Sequence, residues 1–74
     1  MVRNPVRSSN LKSVGYDLRS GQMEIEFQSG KVYRYDRVPQ ILHQGLLATP
    51  SAGQFFNDRI LNRFQAVELK EQEK

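Results

Sequence analysis

Glu24 and Glu26 stand two positions apart in Gln22-Met23-Glu24-Ile25-Glu26-Phe27. On an extended strand such residues share one face and lie about 6.5–7 Å apart. That leaves room for a water between two carboxylates, the arrangement an inverting glycosidase uses. A flat strand surface supplies no cleft for a sugar, however, and Arg34 on the following strand is placed to neutralise the pair. His43 is the only histidine and cysteine is absent, so a metal site lacks ligands. Ser51 has no base beside it and reads as a helix cap. Gly45 and Gly53 form no phosphate-cradling loop. The chain is therefore expected to be non-catalytic, with no cofactor, no metal and no evident small-molecule substrate.

Residues suited to binding are easier to find. Tyr33 and Tyr35 flank Arg34 and, on a strand, point to the same face. On an open sheet they would be platforms for unpaired bases; under helices they would be core, with hydroxyls seeking partners at the rim. Lys31, Arg37, Arg59 and Arg63 are the candidate phosphate contacts, with Lys12 and Arg19 near the first strand. Arg59 and Arg63, four apart, would share a helix face. Solvation of an ordinary surface explains the same charges. Net charge is +3, and residues 1–63 hold nine of the 11 Lys/Arg against five of the 8 Asp/Glu, so that part is more basic than the whole. A polyanion is permitted by this balance, not required.

The elements that would position these residues follow from pattern. Leu11 to Asp17 reads as a first strand, with Val14, Tyr16 and Leu18 alternating and Gly15 marking a bulge or a close approach of another backbone. Met23, Ile25 and Phe27 alternate with Glu24, Glu26 and Gln28, which marks a strand buried on one face. A three-residue turn, Gln28-Ser29-Gly30 with Gly30 left-handed, leads into Val32-Tyr33-Arg34-Tyr35. It sets Ile25 opposite Tyr33 and Met23 opposite Tyr35, gathering the apolar side chains on one face and bringing Arg34 opposite Glu24. Val38-Pro39 ends the sheet and begins a helix through Leu47 with a stripe of Ile41, Leu42, Gly45 and Leu46. Thr49-Pro50 breaks it. Ser51 and Gln54 have capping-box spacing, and Phe56, Ile60 and Phe64 extend a second helix to about Phe64.

These readings predict an α+β fold: a three-stranded antiparallel meander with two helices packed on one face. The helices need a sheet face to cover, and only the one with Met23, Ile25, Phe27, Tyr33 and Tyr35 is apolar, so both tyrosines are expected in the core. Residues 1–8 read as a disordered arm, 9–65 as the domain and 66–74 as a charged tail. At 74 residues this is one small domain, and such chains bury only about 60 % of their unfolded surface. No apolar run is long enough to span a membrane. The lack of cysteine and of a signal-like N-terminus fits the cytoplasm.

The order of features resembles the KTSC domain, named for the C-terminal extension of some lysyl-tRNA synthetases and also found as short stand-alone bacterial and phage proteins. Four stretches carry the resemblance: Ser9-Asn10 with Val14-Gly15-Tyr16-Asp17; Glu24-Ile25-Glu26-Phe27 with Gly30; Val32-Tyr33-Arg34-Tyr35 with Val38-Pro39; and Ser51-Ala52-Gly53-Gln54-Phe55-Phe56-Asn57 with Ile60. Phe55 stands where tyrosine is the more common residue, so any role of that hydroxyl is missing here. Of the motif residues, Tyr33, Tyr35, Phe55 and Phe56 read as structural. Asn57, in mid-helix where asparagine is a poor former, reads as structural too, bonding a loop across the domain, with facing a partner as the alternative. The resemblance implies a binding module, with RNA or tRNA suggested by the synthetase context. The alternative is a protein-interaction module using the sheet edges.

Overall fold

The computed structural model describes residues 3–69. Strands β1 (Arg3–Pro5), β2 (Leu11–Asp17), β3 (Gln22–Phe27), β4 (Val32–Tyr35) and β5 (Ala66–Leu69) form one antiparallel sheet in chain order. Helices α1 (Gln40–Ala48) and α2 (Ala52–Arg59) are inserted between β4 and β5. The α+β class with two helices holds, but the meander is five-stranded, not three-stranded. Both extra strands come from stretches expected to be an arm and a tail. β1 is exposed throughout and has no apolar period; its order comes from the ladder to β2, Arg3 opposite Gly15 and Pro5 opposite Ser13. Pro5 is tolerated because β1 is an edge. β5 pairs Leu69 with Val32 and Ala66 with Tyr35, so β4 lies inside the sheet. Residues 70–74 of the expected tail, like residues 1–2 of the arm, lie outside the described residues.

The central hairpin has the expected register: Ile25 opposite Tyr33, Met23 opposite Tyr35, Glu24 opposite Arg34. Phe27 N–H donates to the Lys31 carbonyl at 2.9 Å, and Gly30 takes φ 97°, a conformation open to glycine alone at little cost. The bulge in β2 falls between Leu11 and Ser13 rather than at Gly15. Its position explains the core. Leu11 and Val14 are three apart and would face opposite sides of a regular strand; the extra residue Lys12 turns both inward, where each is fully buried. Ser13 is left on the other face, its hydroxyl donating to Glu26 Oε1 at 2.9 Å.

The helices cover the face carrying Met23, Ile25 and Tyr35, and Leu46, Ala52, Phe56 and Ile60 complete the core. Leu42 is half-buried and packs on it, but Ile41 is 71 % exposed and leaves the expected stripe. Gly45 faces the Phe55 ring so closely that an added Cβ would lie 2.4 Å from its Cζ, so the missing side chain sets how near the helices approach. α2 stops at Arg59, short of the expected Phe64. Ile60 and Leu61 N–H both donate to the Phe56 carbonyl, and Asn62 turns the chain at φ 64°, a region asparagine enters more readily than most residues. Ile60 and Phe64 still reach the core, through that turn rather than by helical period. The capping box does not form: Ser51 makes no side-chain cap bond, and Gln54 instead donates to the Asp58 carboxylate at 3.1 Å. Among the described residues no helix is long and apolar enough to cross a membrane.

Candidate functional site

The carboxylates of β3 are occupied. Glu24 meets Arg3 at 3.5 Å, while Glu26 accepts from Ser13 and lies 4.0 Å from Lys12. Arg34 does not neutralise them as the register suggested. It turns along its own strand, placing Nε 3.4 Å from Asp36 Oδ1, and both atoms are shielded from water. Among the described residues no three His, Cys, Asp or Glu side chains gather to hold a metal.

The candidate cations separate. Lys31 is exposed at the β3–β4 turn, at the opposite end of β4 from Arg37. Arg59 ends α2 with its guanidinium 5.7 Å from the centre of the Phe55 ring, a cation–π contact of modest worth on an exposed side chain. Arg63 lies beyond the helix, so the shared helix face with Arg59 does not exist; its Nε donates to the Asp58 carbonyl at 3.1 Å. Instead Arg63 is grouped with Arg37. Both line a pocket of about 500 Å³ with Ser20, Gln22, Phe64 and Gln65. Asp36 also borders it, but its carboxylate is engaged by Arg34. Arg37 is held at φ 59°, unusual for a residue other than glycine.

The tyrosines are on the helix-covered face. Tyr35 is 4 % exposed and meets Phe56 edge-on at 5.7 Å, while half-buried Tyr33 meets Phe27 edge-on at 5.8 Å. Burial, with a smaller effect from Tyr33, pushes the Tyr35 hydroxyl up to about 12. The layer is not sealed over them. Beside α2 a second cleft, about 450 Å³, has Phe27, Tyr33, Tyr35 and Phe56 in its lining. Asn10, Asn57 and Asn62 also border it, and Phe64 lines both this cleft and the arginine pocket. Phe55 lies outside, against Gly45. Asn57 is exposed at the cleft rather than bonded to a loop among the described residues.

Sequence reasoning missed Asn10, Asn62 and Phe64 as one surface. The Ser8 hydroxyl accepts the N–H groups of Asn10 and Leu11 at 3.0 and 3.1 Å, and the Asn10 carbonyl accepts Gln28 N–H at 2.9 Å. Those bonds fix Asn10 at the rim. The one available signal was Asn62, an asparagine where a helix could end.

A family model described as the KTSC domain matches residues 7–64. A crystal structure of a KTSC domain protein from Yersinia pestis superposes with a TM-score of 0.90 at 35 % identity, covering 93 % of this chain and 97 % of that one. An uncharacterized protein of Stutzerimonas stutzeri is 46 % identical over 57 residues, 77 % of this chain and 80 % of that protein. A lysine–tRNA ligase of Nostoc punctiforme is 38 % identical over 61 residues, which is 82 % of this chain but 11 % of the ligase. Sheet, helices and sequence thus agree across these comparisons, and the chain belongs to the KTSC domain family.

Proposed function

We propose that this chain is a non-catalytic RNA-binding module whose phosphate contact is the pocket of Arg37 and Arg63. The observation that carries the reading is the convergence of those two cations, 26 positions apart in sequence, on one pocket beside an aromatic cleft. Ser20 and Gln22 add neutral hydrogen-bonding groups there, and Arg34 offsets the acidic charge of Asp36. The likeness to a segment of a lysine–tRNA ligase supports an RNA context, tRNA included. Binding of this kind displaces counterions and weakens with salt. Anisotropy titrations of labelled bulk tRNA and of a single-stranded RNA should show affinity falling with salt. Arg37→Gln and Arg63→Gln should each reduce the salt slope by about one. Absence of binding to both RNAs at low salt would sink the reading.

Exposed apolar side chains favour a second reading, a protein-interaction module. Leu18 is 65 % and Ile41 71 % exposed, and β1 and β5 each leave one edge of the sheet unpaired among the described residues. Nuclease-treated lysate should then yield a specific partner lost on Ile41→Lys; recovery of the same proteins by that variant would count against it.

A further inference from the structure

We infer that the cleft beside α2 receives one unpaired nucleobase, so that the RNA bound is single-stranded or looped rather than duplex. The inference rests on the RNA reading above and names the part of the ligand that enters. The cleft's volume, about 450 Å³, falls within the roughly 300–1,000 Å³ of small-molecule sites. Its lining matches a base on two counts. Half-buried Tyr33 and Phe64 offer aromatic surface, and every base has a face that stacks on such rings. Asn10, Asn57 and Asn62 are exposed at the cleft and bring carboxamides, which donate and accept at once as a base edge requires. A purely apolar partner would leave those amides unpaired.

Charge completes the match. Phe64 lines both the cleft and the pocket of Arg37 and Arg63. A nucleotide carries its aromatic and anionic parts on one short sugar, and this surface presents an aromatic recess and a cationic recess that share one lining ring. A paired base is held inside its helix and cannot enter; an unstacked base in a loop or single strand can.

The test uses the full chain and three labelled RNA probes: a single-stranded adenine octamer, an octamer of the same length lacking its bases, and a duplex. The intact octamer should bind at least about fivefold more tightly than the abasic one, as stacking of one base implies, and more tightly than the duplex. Asn57→Ala, on an exposed side chain, and Tyr33→Leu should shrink the preference for bases while leaving abasic binding unchanged. Arg63→Gln should weaken intact and abasic probes alike. Amide spectra of each variant verify folding, and Asn57→Ala keeps the test decisive if Tyr33→Leu fails to fold. Equal affinity for intact and abasic octamers overturns the cleft assignment while leaving RNA binding standing. Absence of binding to all three probes overturns both.

Discussion

The imidazole of His43 lies flat against the ring of Tyr16, centroids 4.8 Å apart and planes within 13°. Tyr16 also donates its hydroxyl to the Val38 carbonyl, so one side chain ties β2 both to the entry of α1 and to the end of its first turn. His43 Nε2 is shielded from water and has no hydrogen-bond partner among the described residues. Burial holds the imidazole below the ordinary histidine range.

A pH dependence follows. The unfolded chain takes up the His43 proton near about pH 6.5, the folded chain only at lower pH. Between those points the unfolded state binds more protons, so stability falls as pH drops through that window. Urea midpoints at about pH 7.5 and about pH 5.5 should differ in this direction, and His43→Phe, which keeps a stacking ring, should narrow the difference. An unchanged difference in the variant would assign the acid sensitivity to other groups.

Gly45 and Phe55 make a second sharp case. Glycine to alanine inside a helix ordinarily stabilises by about 0.5–1 kcal/mol. Here the added Cβ would meet Phe55 Cζ at 2.4 Å and Cε2 at 2.8 Å, so the ring must move from between α1 and the Arg59 guanidinium. Overpacking of this kind costs roughly 1–3 kcal/mol, and Gly45→Ala should therefore be net destabilising. In a Phe55→Ala background the same change should become stabilising. A double-mutant cycle from denaturant unfolding reads the coupling directly; additivity would show that the ring yields without cost.

How much of this was legible beforehand depends on whether a feature has a local signal. The β3–β4 register could be read because Met23, Ile25 and Phe27 alternate and only one turn length puts them with Tyr33 and Tyr35. β1 could not, since Arg3-Asn4-Pro5 has no buried side chain and is held by backbone pairing and the Arg3–Glu24 ion pair, neither of which leaves an apolar period. β5 looked like a charged tail because it opens a run of alternating charges, and with Val67 and Glu68 both exposed it carries no burial period to contradict that reading. The Phe56, Ile60, Phe64 spacing misled because a turn through Asn62 delivers Ile60 and Phe64 to the core as well as a helix would. That turn carries Arg63 away from Arg59 and towards Arg37, so the candidate site depended on a tertiary event that helical periodicity could not show.

Tyr35 supplies a spectroscopic handle on the aromatic layer. Its hydroxyl is pushed up to about 12 by burial and then by Tyr33, against an ordinary value near about 10. Tyrosinate absorbance of the folded chain should show a component delayed to high pH that Tyr35→Phe removes. The unfolded chain loses this proton first, so between the two values it binds fewer protons and stability declines as pH rises. A single transition near about 10 for all tyrosines, with the chain still folded, would contradict the buried placement of Tyr35.

At Arg37 backbone strain and the proposed phosphate contact fall on one residue. At φ 59° its backbone bears a cost of roughly 1–2 kcal/mol that glycine avoids, while glycine gives back about 0.5–1 kcal/mol through the freedom of the unfolded chain. Arg37→Gly should therefore raise stability by about 0.5–1 kcal/mol and at the same time weaken the proposed RNA binding, because the pocket loses one of its two arginines. Arg37→Lys should keep most of the binding without the gain in stability. Opposite signs for stability and affinity in Arg37→Gly are what a strained residue retained for its charge requires. Denaturant midpoints and anisotropy titrations on the same preparations measure both, and a variant that binds RNA as well as the parent chain would remove Arg37 from the site.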